Sequence, residues 1–325
     1  MNILITGSEG FIGSHLVEYF VKKNFKVYAF VQYNSFSNIG WLLNIEKKLF
    51  SKIKLIFGDI KDPNCINEAT KNVDFVINCA ALIGIPYSYT ARKSYIDNNI
   101  LGTFNILENS LKNKIKRTVI FSTSEVYGNA EFIPMDESHP LKAQSPYAAT
   151  KISADKITES YIKSFNLNAT IVRPFNVFGP RQSLRAVIPT IINQSMSSKN
   201  INIGNKNTFR DFTYISDLCR AVFLILKSKK TNKKIINVST GKTYQIDEII
   251  KLIAKYSNKK IKIIIDQKRK RPKFSEVDKL VGSYKLLYKL TGWKPKVKFN
   301  DGIIKTIKWF KKNKQFYKND NKFYY

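Results

Sequence analysis

Short runs rich in Val, Ile and Phe alternate with amphipathic stretches through the first half of the chain. The runs at 2–6, 26–31, 54–57, 75–78, 117–122 and 169–173 have apolar centres with polar residues toward their ends, which predicts strands covered on both faces. Between them, apolar positions recur at helical spacing, notably over 11–22, 89–113 and 146–165. Strands joined by crossover helices form a parallel sheet with helices on both sides, so the pattern predicts an α/β, doubly wound architecture. After Arg173 the rhythm breaks. RPFNVFGPRQ is rich in Pro and Gly, and shorter strands and helices follow it. The division this suggests is a nucleotide-binding domain over 1–173, to which segments around 211–240 return, and a smaller irregular α/β domain over most of 174–325. No low-complexity linker separates the two and no repeat is visible, so the halves are expected to pack together.

Charge changes the picture least, although it is the outlying number. The chain has 325 residues, and 55 Lys and Arg stand against 24 Asp and Glu, a formal net charge of +31. The lysines are scattered through every segment, and no arginine-rich patch or nucleic-acid-reading motif accompanies them; a solvated basic surface is expected, without a nucleic-acid partner. Cys65, Cys79 and Cys219 stand apart without a CxxC pair, which supports neither a zinc site nor a disulfide framework and fits a reducing compartment. His15 and His139 lack a third ligand nearby, so no metal is expected. The N-terminal segment runs straight into a strand, and no apolar run is long enough to span a bilayer, so a cytoplasmic protein without membrane attachment is expected.

Chemistry enters at the first turn. In ILITGSEGFIG, Gly7, Gly10 and Gly13 fall between a strand and the helix that opens near Phe11 and Ile12. A strand-to-helix turn of this kind needs backbone free of Cβ clashes, and the helix N-terminus offers unpaired N–H groups to a pyrophosphate. The second strand usually ends in an acid for the adenosine ribose; here it runs AFVQYNSFSN, without Asp or Glu. NAD and NADP therefore both stay open, since Gln32, Asn34 and Ser35 suit either a hydroxyl or a phosphate.

A second constellation lies farther along. Tyr147 and Lys151, in SPYAATK, are one helical turn apart and share a face, an arrangement in which an ammonium can stabilise a phenolate and make it a usable base. Ser122 and Thr123 end the preceding strand, at the carboxyl edge where such sheets bind ligands.

With these motifs in place, the chain resembles the extended short-chain dehydrogenase/reductases that modify nucleotide sugars. GSEGFIG, NCAA, NILGT, STSEVYG, YAATK, RPFNVFGPRQ and RDFTYISD occur in that family's order. The resemblance implies a Rossmann-like fold, a tightly bound NAD or NADP recycled in each turnover, and a homodimer paired through helices 89–113 and 146–165. It also implies that Tyr147 removes a proton from the sugar C4 hydroxyl, that Lys151 holds the nicotinamide ribose, and that Thr123 orients the sugar. Asp59 and Ile60, Ala80 and Ala81, and Asn99 would border the cofactor. Asn176, Arg185, Val187, Pro189, Arg210 and Arg271 would meet the substrate, with Ser122 beside them.

Glu125 bears on the reaction. A 4-keto sugar has an acidified C5 proton, and a carboxylate beside Tyr147 suggests that this proton is removed. The hexose 4,6-dehydratases carry a Thr-Asp-Glu triplet, whereas this chain has Thr123, Ser124 and Glu125, without the acid that protonates the departing 6-hydroxyl. FVQYNSFSNIGWL and QSLRAVIPTII are similar to the dehydratases of the legionaminic acid pathway, implying GDP- or UDP-N-acetylglucosamine as substrate. UDP-glucuronate decarboxylase and nucleotide-sugar 4-epimerase are the alternatives within the family.

Overall fold

The computed structural model describes residues 1–317. Its central sheet contains seven parallel strands: β1 (Asn2–Thr6), β2 (Lys26–Gln32), β3 (Ile53–Gly58), β4 (Phe75–Asn78), β5 (Arg117–Phe121), β6 (Ala169–Pro174) and, after three strands outside it, β10 (Ile235–Val238). Their spatial order is β3, β2, β1, β4, β5, β6, β10. The order reverses beside β1, between β1 and β4, which is where a doubly wound sheet leaves a crevice at its carboxyl edge. β7 (Asn176–Phe178), β9 (Phe209–Tyr214), β11 (Thr243–Gln245) and β13 (Lys279–Leu280) form a smaller sheet, and β8 (Asn200–Ile203) pairs with β12 (Lys262–Ile265).

Strand periodicity sets the two faces. Ile3 and Ile5 point into the larger core with Leu16, Val17 and Phe20 of helix Phe11–Lys22 and Leu218 and Val222 of helix Ile215–Lys227. Leu4, between them, points the other way, toward Ile66 and the helix residues Ile106 and Leu107. Alternate residues of one fully buried strand thus anchor both helical layers.

The stretch 89–113 departs from the single helix its pattern predicts. It is broken into Arg92–Tyr95, a π-helical turn over Ile96–Leu101, and Gly102–Lys112, with a short helix Ile85–Ser88 before them. Within this turn Asn98 lines the cleft while its neighbour Asn99 is buried.

Candidate active site

At the carboxyl edge of the sheet lies one continuous cleft with a cavity of about 1210 Å³. The glycine loop forms one end. Helix Phe11–Lys22 begins at Gly10 with no side-chain cap and no acid in its first turn, which leaves its N-terminal amides available to an anion. Gly13 closes the turn: a Cβ there would lie 2.0 Å from the Gly7 carbonyl oxygen, so only glycine lets the helix start this close to the strand. Gly7, Gly10, Phe11, Ile12 and Gly13 line the cleft with Gln32, Asp59, Ile60, Ala80 and Ala81. This is a backbone-lined cradle at a helix N-terminus, and it fits a dinucleotide.

The other sequence expectations for this end change. Asn34 has its amide turned into its own loop, where Nδ2 donates to the Gln32 and Asn38 carbonyls and Oδ1 accepts from the Asn38 N–H, and neither Asn34 nor Ser35 lines the cleft. Asn38, Gly40 and Trp41 line it in their place. Asn99 is a structural clamp: Nδ2 donates to the Leu82 carbonyl and to Thr150 Oγ1, and Oδ1 accepts from the Leu82 N–H at 2.9 Å.

In the middle of the cleft stand Ser122, Thr123, Glu125, Tyr147 and Lys151. Helix Pro146–Ser164 starts where it does because Ser145 Oγ accepts from the Ala148 N–H at 3.1 Å and Pro146 occupies the first turn; this fixes Tyr147 at the helix entrance. Thr150 Oγ1 donates to the Tyr147 carbonyl at 2.8 Å and so ties the Asn99 clamp to the same turn. Thr123 caps the short turn Ser124–Tyr127, its Oγ1 accepting from the Glu125 N–H at 3.2 Å. Ser124 is 1% exposed and lies beneath the cleft wall that Thr123 and Glu125 form, so it has no access to a substrate.

Burial dominates the electrostatics. It pushes the Tyr147 phenol well above its ordinary pKa; the Thr123 hydroxyl acts in the opposite direction, and the nearby charge of Glu125 adds to the rise. Burial also lowers the Lys151 ammonium, while Asp155 raises it. Lys151 Nζ donates to the Phe121 carbonyl at the end of β5. The sequence pattern alone makes Lys151 the group that lowers Tyr147; in the folded chain, burial is the largest influence on the phenol and raises it.

The far end is cationic. Arg210, on β9, is 6% exposed; its Nη1 donates to the Phe209 carbonyl at 3.0 Å and its Nη2 lies 3.5 Å from Glu276. Arg271 Nη1 lies 3.6 Å from Glu125 Oε2 and 4.0 Å from Glu276. Asn176, Arg185 and Val187 line this part, whereas Pro189 is buried and does not line the cleft. His15 bonds through Nε2 to the Pro180 carbonyl at 3.0 Å, and His139 accepts from the Glu131 N–H. Among the described residues no helix is long and apolar enough to cross a membrane.

Residues 4–306 match the family described as GDP-mannose 4,6 dehydratase. The chain belongs to that family. A putative UDP-glucose 4-epimerase from Methanocaldococcus jannaschii is 31% identical, over 96% of this chain and 99% of its own. A dTDP-glucose 4,6-dehydratase from Actinoplanes is 27% identical, over 98% of this chain and 100% of its own. Among solved structures, a variant of the UDP-glucuronic acid 4-epimerase from Bacillus cereus, determined with UDP-4-deoxy-4-fluoro-glucuronic acid and NAD, superposes with a TM-score of 0.88. It is 27% identical and covers 96% of this chain and 100% of its own.

Proposed function

We propose that the chain is an NAD(P)-dependent nucleotide-sugar 4,6-dehydratase. The observation that carries this reading is the Glu125 carboxylate, which lines the cleft together with Thr123 and Tyr147 and lies near enough for its charge to raise the phenol. An enzyme that only oxidises and re-reduces C4 has no use for a second base. Elimination of the 6-hydroxyl requires one.

A nicotinamide held by the glycine loop and Lys151 would supply the oxidising equivalent for C4 and the reducing equivalent for C6. Tyr147, as phenolate, accepts the C4 hydroxyl proton while Thr123 orients the sugar and Lys151 holds the nicotinamide ribose. Glu125 removes the C5 proton, now acidified by the C4 ketone. The C6–O bond then breaks, and Glu125 passes its proton to the departing oxygen, which leaves as water. As C6 is reduced, solvent delivers to C5 a proton equivalent to the one Tyr147 took from the C4 hydroxyl, and the product is a 4-keto-6-deoxy sugar. Arg210 and Arg271 supply paired cations for the diphosphate, with Asn176 and Arg185 toward the sugar and base.

The substrate proposed is GDP- or UDP-N-acetylglucosamine, on the likeness of FVQYNSFSNIGWL and QSLRAVIPTII to legionaminic acid pathway dehydratases. Two copies of the chain would pair through the apolar side chains that Ile96, Leu101, Phe104 and Phe165 leave exposed. The second reading, a 4-epimerase, is favoured by the ion pair between Glu125 and Arg271, which gives the carboxylate a role without proton transfer. Mass spectrometry of reactions with a panel of UDP- and GDP-sugars separates these. Loss of one water is expected. An isobaric product with altered retention would make the chain an epimerase, and loss of carbon dioxide from UDP-glucuronate would make it a decarboxylase.

A further inference from the structure

The second strand of the sheet lacks the acid that would meet the adenosine ribose, yet a carboxylate stands at its end. It comes from the glycine loop. Glu9 Oε1 accepts from the backbone N–H of Gln32, the last residue of β2, at 3.2 Å. The other oxygen, Oε2, is buried without a hydrogen-bond partner, although Glu9 lines the cleft. A buried carboxylate oxygen with no donor is costly, and in an active cleft it is a place for a ligand hydroxyl.

The chain has fixed this carboxylate from its other side. The Glu9 carbonyl accepts from the Trp41 N–H at 2.9 Å. Gly40 holds φ +53°, and a Cβ there would stand 2.6 Å from the Glu9 carbonyl oxygen and 2.9 Å from its Cβ. The segment after β2 therefore folds down onto Glu9, and only glycine permits the approach. Burial pushes the Glu9 carboxyl upward, while the amides of Glu9 and Gln32 hold it toward the ionised form. Cations are missing where they would be expected to balance it. In a chain with 55 Lys and Arg, none falls in residues 27–46, which run from the second residue of β2 through the loop over Glu9.

The structure assigns to Glu9 the recognition of the adenosine ribose: its carboxylate accepts the 2′-hydroxyl, and the site selects NAD over NADP. A 2′-phosphate placed there would confront a fixed carboxylate with no neighbouring cation from the loop. The selection comes from the glycine loop and acts at the strand end, which is why the strand itself carries no acid.

The test is equilibrium binding to the full-length chain after its nucleotide has been removed. NAD⁺ and NADP⁺ are titrated separately, by quenching of tryptophan fluorescence or by calorimetry. Wild type is expected to bind NAD⁺ about 100-fold or more tighter than NADP⁺, the scale of a like-charge clash at a buried site. Glu9→Gln keeps the shape and removes the charge, so its preference is expected to shrink to about 10-fold or less, with the change in both affinities. Equal affinities in wild type, or an unchanged ratio in Glu9→Gln, would overturn the assignment. Because the readout is a ratio within one protein, a general loss of folded molecules cancels, and Glu9→Ala supplies the same ratio if Glu9→Gln does not fold.

Discussion

Arg173 directs both Nε and Nη2 at the same oxygen of Asp155, each at 3.0 Å, and Asp155 stands one helical turn beyond Lys151. Both side chains are almost fully buried, and Arg173 Nη1 also donates to the Tyr127 hydroxyl at 3.1 Å. Burial raises the Asp155 carboxyl and Arg173 pulls it back, so the charge that supports the Lys151 ammonium depends on the arginine. Arg173→Met would leave an unpaired buried carboxylate. A loss of about 3 to 5 kcal/mol is expected in urea unfolding, and a loss under about 1 kcal/mol would mean that the pair contributes no net stability.

In the proposed reaction Tyr147 takes the first proton. Tyr147→Phe removes only the hydroxyl from a ring that is 6% exposed, so the packing against Tyr95, at 6.2 Å between ring centroids, is kept. Turnover is expected to fall by several orders of magnitude with cofactor affinity nearly unchanged, because the phenolate acts on the transition state more than on the bound ground state. Near-wild-type turnover in the variant would take Tyr147 out of the mechanism.

The choice of reaction rests on Glu125. Glu125→Gln retains the shape but cannot take the C5 proton, so oxidation at C4 should proceed and elimination should stop. Stopped samples with substrate should show the absorbance of bound reduced nicotinamide and no incorporation of solvent deuterium at C5. Normal deuterium exchange and full dehydration would show that the base is another residue.

His15 offers a pH-dependent reading of the loop region. Burial is the main cause that lowers its pKa from 6.5 to about 4, with Arg181 adding to it and the Pro180 carbonyl and Glu18 opposing. The unfolded chain therefore takes up a proton below about pH 6.5 that the folded chain refuses until about pH 4. Stability from the neutral ring is fully present above pH 6.5 and is lost as the pH falls toward 4. The loss is at most about 3 kcal/mol. Unfolding curves for wild type and His15→Gln, compared between pH 7 and 4, should converge toward acid; parallel curves would contradict the shift. Comparison with the variant removes contributions from other groups, including Asp211, whose carboxyl burial raises to about 6 and which acts in the opposite direction.

The sheet was legible because each of its first six strands is a local apolar run, and the observed bounds differ from the predicted ones by a residue at most at either end. The π turn at Ile96–Leu101 was not, since apolar spacing reports a helix without distinguishing i+4 from i+5 hydrogen bonding. Tyr147, Lys151, Thr123 and Glu125 were legible as motifs, and the fold brings them together. Glu9 was hidden for a different reason: its side chain acts at Gln32, 23 residues away, and motif reading looked for an acid in the strand itself. Asn34 and Ser35 were placed at the cofactor by the same local reading, and Gly40 gave no signal until its left-handed backbone was seen.

Trp41, three residues beyond Asn38 in the loop over Glu9, rests on rings from the far end of the described chain: Trp309 at 5.5 Å, Phe316 at 5.6 Å and Tyr317 at 5.9 Å between centroids. On the ribosome, all seven strands of the large sheet are made before any of those rings exists. A nascent chain can therefore have its glycine loop and Tyr147 in place while Trp41, bonded to the Glu9 carbonyl, still lacks these aromatic neighbours. The end of the cleft at Glu9 becomes complete only with the last helix and the turn after it, so the synthesis order itself separates a folded sheet from a finished cleft.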